Sequence, residues 1–373
     1  MSFTALDYQY MALAIELAKK GRYTTSPNPN VGCVLVKDGQ IVGQGYHQKA
    51  GEGHAEVHAL AQAKEQALGA TAYVTLEPCS HTGRTGPCAL ALVNAGVIKV
   101  IAAMVDPNPA VSGRGLAILE KAGIQTAHGL MQVEAEALNV GFLKRMRNAM
   151  PFVQCKLAAS LDGKTALANG LSKWITGPLA RAQVQDYRAQ SCAVLTGADT
   201  VLVDNAKMNV RYDELINPPF SLAQLRQPIR VVIDSKHRLT PDLAFFQIES
   251  PVIILTTKLD ISERWPHFVS HLLVPELNGQ VDLSQAMQLL GARGINHIWL
   301  EAGHTLAGQM AQQGLVDQFI FYLAPKLIGH SGKSLLQLPV LESMAEVTEL
   351  SIDDVSMVGV DLKITASYKK SDH

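Results

Sequence analysis

Residues 54–96 read HAEVHALAQAKEQALGATAYVTLEPCSHTGRTGPCALALVNAG, and the order of patterns within them decides the fold of the first half of the chain. An apolar-periodic, helix-like segment opens the stretch. It passes into the strand-like run TAYVTLE, breaks at Pro78-Cys79 and resumes as the helix-like CALALVNAG. Upstream lie an opening helix and the segment VGCVLVKDGQIVGQGYH, where Asp38-Gly39 between two apolar runs is a strong hairpin signal. Downstream, helix and strand continue to alternate through KVIAAMV. Strands separated by helices are parallel neighbours covered on both faces, which predicts a three-layer α/β/α sandwich. A last helix is expected over VEAEALNVGFLKRMRN (133–148). It runs into Met150-Pro151, and proline disfavours a helical conformation in the residue before it, so the first domain is placed at 1–148 and the second at 151–373.

The same stretch carries chemistry. His54, Cys79 and Cys88 are the residue types that bind zinc best at neutral pH, and three protein ligands leave a fourth position for water. Glu56 lies two residues from the histidine, placed to take the water's proton and pass it to a leaving amine, as in hydrolytic zinc deaminases. The expected reaction replaces an exocyclic amino group by oxygen. A lone His-x-Glu is weak, and buried cysteines are common as plain core residues. The combination is stronger, because all three ligands fall at helix starts or strand ends where they can converge. The two cysteines are separated by eight residues, so the loop SHTGRTGP is expected to form part of the pocket.

Composition narrows the alternatives. The chain has 373 residues, 47% of them apolar, enough for two or three buried cores. A net charge of −1, with no basic run longer than Lys144–Arg147, gives no nucleic-acid footprint. No apolar stretch approaches a membrane span. The N-terminal segment, carrying Asp7 and Glu16, reads as an amphipathic helix and not a signal peptide. Five cysteines, an odd number, argue for a reducing compartment, with the cytoplasm as the expected location.

From Pro151 a second alternating pattern sets strands at FVQCKLAAS, CAVLTG, PIRVVIDS, PVIILTT, HIWLEAG and DQFIFYLAP. Residues 346–368 are β-rich without a helix signal and are expected to close one edge with antiparallel strands. The loop DELINPPFSLAQLRQP reads as an irregular excursion. In IWLEAGHTLAGQM, free backbone N–H groups at a helix start beside Gly303 make an anion site, although the segment is not a dinucleotide fingerprint. With KLAASLDGKTA, and with Asp199, Thr200 and Asp204 in GADTVLVDN, this gives three polar clusters at strand ends. Open α/β sheets bind ligands at such ends.

The runs TSPNPNVGCVLVKDGQIVGQGYHQKAGEGHAEVHAL, TLEPCSHTGRTGPC, KLAASLDGKTA, WITG, RAQSCAVLTGADTVLVDN and PIRVVIDS together resemble the bifunctional riboflavin-biosynthesis deaminase/reductase family over nearly the whole chain. The resemblance implies a cytidine-deaminase-like domain followed by a dihydrofolate-reductase-like α/β domain. It implies zinc hydrolysis of the amino group of 2,5-diamino-6-ribosylamino-4(3H)-pyrimidinone 5′-phosphate, then NADPH reduction of the ribosyl group to ribityl. It implies zinc on His54, Cys79 and Cys88, proton transfer by Glu56, and Asn28, His47, His81 and Arg84 around the pyrimidine and its phosphate. For NADPH it implies Ala158, Trp174, Thr200, Asp204, Ser235, Gly303, His304, Thr305, Leu306, Ala307, Gly308 and Gln309. For the ribosyl substrate it implies Lys156, Ser172, Arg188, Met208, Arg211 and Glu301. Arg188 and Arg211 are the natural phosphate partners, while Lys156 and Asp204 are candidates for reductase catalysis. Ser235, with Lys236 and Arg238, offers contacts to a 2′-phosphate. The expected partner is a small pyrimidine ribotide, with no nucleic acid or membrane, and the expected assembly is a homo-oligomer, dimer or tetramer.

Four residues depart from the family pattern. Gly86 precedes Pro87 where two prolines are usual, Asn205-Ala206 replaces Asp-Pro, and Met208 replaces leucine. Losing the proline is expected to free the loop after Asp204. Two other readings compete: a nucleic-acid-editing deaminase with an accessory domain, and a deaminase whose second domain is a non-catalytic dimerisation or regulatory module. Editing enzymes normally add a basic stripe with stacking aromatics, whereas this chain is near neutral with 6% aromatic residues.

Overall fold

Thr4 starts the first helix by a reciprocal cap. Its hydroxyl accepts from the Asp7 N–H at 3.2 Å, and the Asp7 carboxylate accepts from the Thr4 N–H at 2.8 Å. The other Asp7 oxygen accepts from the Tyr73 hydroxyl at 2.7 Å, tying this helix to the sheet. The structure, a computed structural model, describes residues 3–80, 86–109, 111–259 and 265–369. The chain divides into two compact units, Met1–Ala149 and Met150–His373.

The first unit runs α1 (Ala5–Lys19), β1 (Gly32–Lys37), β2 (Gln40–Tyr46), α2 (Ala55–Ala63), β3 (Thr71–Val74), α3 (Cys88–Asn94), β4 (Lys99–Ala102), α4 (Arg114–Lys121), β5 (Gln125–His128), α5 (Gln132–Ala137) and α6 (Val140–Asn148). Its sheet has the order β2-β1-β3-β4-β5, with β3, β4 and β5 parallel and β1 antiparallel to both neighbours. The β1–β2 turn is at Asp38-Gly39, both left-handed, as the hairpin signal requires. Strand alternation feeds two cores. Cys33 and Leu35 pack with α2, α3 and α4, while Val34 and Val36 pack with α1 and α6, giving the expected three layers. At Gly45 a Cβ would lie 2.6 Å from the Ala55 carbonyl oxygen, so glycine there lets the start of α2 rest on β2. One expectation is corrected: residues 133–148 are not a single helix. α5 ends at Ala137 and α6 begins at Val140, with Asn139 non-helical between them at φ −133° and ψ 28°.

The second unit runs β6 (Phe152–Ser160), β7 (Lys164–Ala166), α7 (Pro178–Gln190), β8 (Ala193–Gly197), α8 (Ala198–Asp204), β9 (Ile229–Ile233), β10 (Val252–Thr256), β11 (Val269–Leu273), β12 (Glu276–Leu277) and β13 (Gln280–Val281). It continues with α9 (Leu283–Ala292), β14 (His297–Leu300), α10 (His304–Gln312), β15 (Gln318–Ala324), β16 (Lys333–Ser334), β17 (Leu350–Val358) and β18 (Asp361–Tyr368). Nine strands form the main sheet in the order β11-β10-β9-β8-β14-β6-β15-β18-β17. The first seven are parallel and the last two antiparallel, as the β-rich terminal segment predicts. Helices α9 and α10 pack on one face, α7 and α8 on the other. Strand β11 has no counterpart in the sequence reading, because its mixed burial as an edge strand leaves little apolar alternation. Since β14 inserts between β6 and β8, the direction of winding reverses there, and the carboxyl ends of these strands form the place where such sheets bind ligands.

Candidate zinc centre and reductase site

His54 is the residue before the first turn of α2, and its extended backbone (φ −74°, ψ 170°) leaves the ring off the helix end. Cys79 follows β3, and Cys88 opens α3 after Pro87. His54 Nδ1 lies 3.2 Å from Cys88 Sγ and 3.5 Å from Cys79 Sγ, and the three donor atoms lie within 4.8 Å of one another. Ligands 2.0–2.3 Å from a tetrahedral zinc are separated by roughly 3.3–3.8 Å. The Cys88 N–H donates to Cys79 Sγ at 3.3 Å. Hydrogen bonding from the Cys88 thiol, then from His54, lowers the pKa of the Cys79 thiol, while the same pairing pushes Cys88 up. Donor types and spacing both fit zinc.

Glu56, in the first turn of α2, is 3% exposed. Burial, with the Cys79 charge adding, pushes its carboxyl up to about 7, the range in which a group both takes and returns a proton at neutral pH. His47, also buried, donates from Nδ1 to the Gly53 carbonyl at 3.1 Å. Burial lowers its pKa, so the ring is neutral and Nε2 accepts from the Asn28 amide at 3.1 Å. The His47 and His54 rings meet edge to face at 5.3 Å. Asn28, His47, His54 and Glu56 thus form one connected group. His81 and Arg84 lie outside the described residues.

Sequence reasoning missed Glu77. Its buried carboxylate accepts four backbone N–H groups, from Asp106 (3.1 Å), Gly113 (2.9 Å), Gly115 (2.8 Å) and Leu116 (3.3 Å). A Cβ at Gly115 would lie 1.9 Å from the Pro78 carbonyl oxygen, so only glycine lets α4 approach the cysteine loop this closely. The residue stands in the quoted TLEPC, where the strand pattern gave no sign of a carboxylate turned inward.

In the second unit, Lys156 and Ala158 lie on β6, Thr200 and Asp204 on α8 after β8, Ser235 after β9, and Glu301 with Gly303–Gln309 after β14. These residues share the carboxyl end of the sheet. Ser172 and Trp174 lie in the segment before α7, where Lys326 Nζ donates to the Trp174 and Ile175 carbonyls at 2.8 and 2.7 Å. Arg181 stacks over the exposed Trp174 ring at 4.6 Å. The Asp204 carboxylate faces Lys173 Nζ at 3.8 Å.

Arg188, expected beside the ribotide, meets Glu301. It is buried and forks onto Glu301, with Nε 2.5 Å from Oε1 and Nη2 3.0 Å from Oε2, and it also donates to the Asn209 carbonyl at 2.9 Å. Three of its nitrogen–oxygen hydrogen bonds are thus made inside the protein. Arg211, the other expected phosphate partner, is half-exposed and paired with Glu214. Burial alone would raise the Glu301 carboxyl, but the charge and hydrogen bonds of Arg188, aided by Lys156 and Trp299, hold it below the usual carboxylate range.

Nor is the loop after Asp204 free. Asn205 Oδ1 accepts from the Ala244 N–H at 3.0 Å, and the Lys207 carbonyl accepts from the fully buried Arg230 at 3.2 Å. Gln227 pairs with both backbone groups of Val210 at 2.9 Å each, and the Arg211 N–H donates to Gln185 at 3.0 Å. Side-chain clamps hold this loop without the proline.

The residues expected around the reductase cofactor offer it a comparable fit. Gly303 precedes α10 with no side-chain cap, and a Cβ there would meet nothing within 4 Å. Thr196 Oγ1 and Asp234 Oδ1, at the ends of adjacent β8 and β9, are buried without a partner among the described residues. Ser235 Oγ accepts from the Val281 N–H at 3.0 Å, and Arg238 pairs with Asp199 at 2.7 Å. Open backbone donors and orphaned polar groups at strand ends suit a phosphorylated dinucleotide.

Fold and site together define a zinc-dependent deaminase joined to an α/β reductase. Residues 4–104 match the cytidine and deoxycytidylate deaminase zinc-binding region, and residues 151–364 match the RibD C-terminal domain. The chain is 55% identical to the riboflavin biosynthesis protein RibD of Escherichia coli K12, covering 95% of this chain and 98% of that protein. It is 50% identical to its Haemophilus influenzae counterpart, covering 99% of each. A solved Acinetobacter baumannii RibD superposes with a TM-score of 0.89 at 44% identity, covering 98% of this chain and 99% of that one. The chain belongs to the RibD family of bifunctional riboflavin-biosynthesis deaminase/reductases, with zinc and NADPH as cofactors. End-to-end similarity to these relatives sets aside the nucleic-acid-editing reading.

Proposed function

We propose that residues 1–148 hydrolyse the exocyclic amine of 2,5-diamino-6-ribosylamino-4(3H)-pyrimidinone 5′-phosphate, and that residues 151–373 reduce the ribosyl group of the resulting uracil ribotide to ribityl. The observation that carries the first step is Glu56, buried beside the converged His54, Cys79 and Cys88. Zinc held by these three supplies Lewis acidity, which lowers the pKa of water towards neutrality. Glu56 takes the proton of the attacking water and returns it to the departing amine. A C–O bond forms, the C–N bond breaks and ammonia leaves. Neutral His47 fixes Asn28, whose remaining amide groups read the ring edge. His81 and Arg84 are assigned to the ring and its phosphate.

In the second unit NADPH supplies the reducing equivalents, held by Ala158, Trp174, Thr200, Asp204, Ser235 and Gly303–Gln309. Ser172, Met208 and Arg211 hold the ribotide, with Arg211 taking the phosphate. Arg188 and Glu301 fix the loop beneath it. Lys156 and Asp204 are assigned to proton delivery. The test supplies purified protein with the diaminopyrimidine ribotide and NADPH. Ammonia release should precede NADPH consumption, and consumption should require the ribotide. NADPH consumption that ignores the ribotide, or none at all, would remove the reductase assignment.

Among the described residues no helix is long and apolar enough to cross a membrane. Five free cysteines support the cytoplasm as the location. A homodimer, alone or as half of a tetramer, is proposed through β17. This edge strand of nine residues has no strand partner on its outer side among the described residues, and it exposes Ile352, Val355 and Met357. Unpaired strand edges are templates for pairing. Light scattering should return at least twice the 40.2 kDa chain mass, falling towards one chain in Ile352→Lys/Met357→Lys. A monomeric wild type would sink this proposal.

A further inference from the structure

We infer that Asn139, at the break between α5 and α6, is a positioning residue for deamination: its amide holds the 25–31 loop so that Asn28, fixed by His47, meets the ring beside His54. The inference rests on the proposed reading of Asn28 as a pyrimidine contact. An asparagine before a helix normally turns its side chain back to cap that helix. Asn139 stands before α6 and makes no such cap. Its side chain, 6% exposed, instead pairs with Asn30, a residue 109 positions earlier. Oδ1 accepts from the Asn30 N–H at 2.7 Å, and Nδ2 donates to the Asn30 carbonyl at 2.9 Å. One side chain thus satisfies both backbone groups of a single loop residue, as a strand partner would.

Asn30 is fixed at both ends. Its own Nδ2 donates to the Leu138 carbonyl at 3.1 Å, and its Oδ1 accepts from the Thr25 hydroxyl at 2.7 Å. Asn28 and His47 hang from its neighbours. The Asn28 N–H donates to the Thr25 carbonyl at 2.8 Å, and the His47 N–H donates to the Val31 carbonyl at 2.9 Å. With no side-chain cap at Asn139, α6 loses a stabilising contact that its sequence could have supplied. The 25–31 loop gains a rigid back wall.

A double-mutant cycle in the full chain tests this, with ammonia release from the diaminopyrimidine ribotide as the readout and zinc content as the check on folding. Asn139→Ala should keep its zinc and lower kcat/KM by about 10- to 100-fold, the scale of a misplaced contact. Because Asn139 acts through the loop bearing Asn28, Asn28→Ala/Asn139→Ala should be no more than about twofold worse than Asn28→Ala alone. Multiplying losses would reveal an independent structural role and overturn the inference, as would wild-type kinetics in Asn139→Ala. If Asn139→Ala loses zinc, Asn139→Asp takes its place in the cycle, since it keeps the acceptor for the Asn30 N–H. Zinc lost from both variants also overturns it. If Asn28→Ala itself behaves as wild type, the reading of Asn28 fails and this inference goes with it.

Discussion

Glu56→Gln is expected to retain about one zinc per chain while deamination falls by about 10²- to 10⁴-fold, the usual contribution of a positioned acid–base group. The amide preserves shape in the buried first turn of α2 but cannot accept the water's proton. Cys79→Ser should lose both zinc and turnover, since it removes one of the three converging donor atoms, the one whose thiol pKa its neighbours lower. Elemental analysis and ammonia release on the same samples check both variants. A fully loaded Glu56→Gln variant turning over within about tenfold of wild type would assign the proton transfer to another group.

Arg188→Met should produce the largest loss of stability in the second unit. It leaves the Glu301 carboxylate buried and uncompensated, at a cost of about 3–5 kcal/mol. For a unit of this size that is a Tm lower by roughly 6–20 °C. The pH dependence has a definite sign. In the wild type Glu301 is held below the usual carboxylate range, so its pairing stabilises the fold above about pH 4 and is lost as pH falls further. In Arg188→Met burial is opposed only by Lys156 and Trp299 and raises the pKa, so acidification neutralises the stranded carboxyl and favours the fold. The gap in Tm between variant and wild type should therefore narrow from about pH 8 to about pH 5. Calorimetry across that range checks it, and a gap that does not change with pH would mean Glu301 is not the stranded group. Arg188→Met/Glu301→Leu should recover much of the lost stability.

What the sequence could reveal follows the range of the interactions. Alternating periodicity is local, so the order of helices and strands from α1 to β5, the Asp38-Gly39 hairpin and the antiparallel end of the second sheet were all legible. So were His54, Glu56, Cys79 and Cys88, whose chemistry is written in residue type. Pairings between distant positions left no periodic trace. The helix expected over 133–148 fails at Asn139 because a backbone 109 residues away engages its amide. The fork of Arg188 onto Glu301, 113 residues later, likewise leaves no local mark. The missing proline at position 206 suggested a loose loop only because the clamps from Gln185, Gln227, Arg230 and Ala244 lie elsewhere in the chain.

The four-pronged grip of Glu77 has a bearing on how the metal enters and leaves. Ordering a backbone residue costs roughly 1–2 kcal/mol, and in small zinc domains the ion itself must offset that cost, so they unfold without it. Here the segment running into Cys79 is anchored two residues earlier by a carboxylate bound to four amide groups of the protein's own chain. The entropy of ordering the segment up to Cys79 is incurred when the polypeptide folds, before any ion arrives. Zinc is in that sense expected to be a tenant of the first unit and not its keystone: chelation should stop ammonia release while the circular dichroism of the chain stays unchanged.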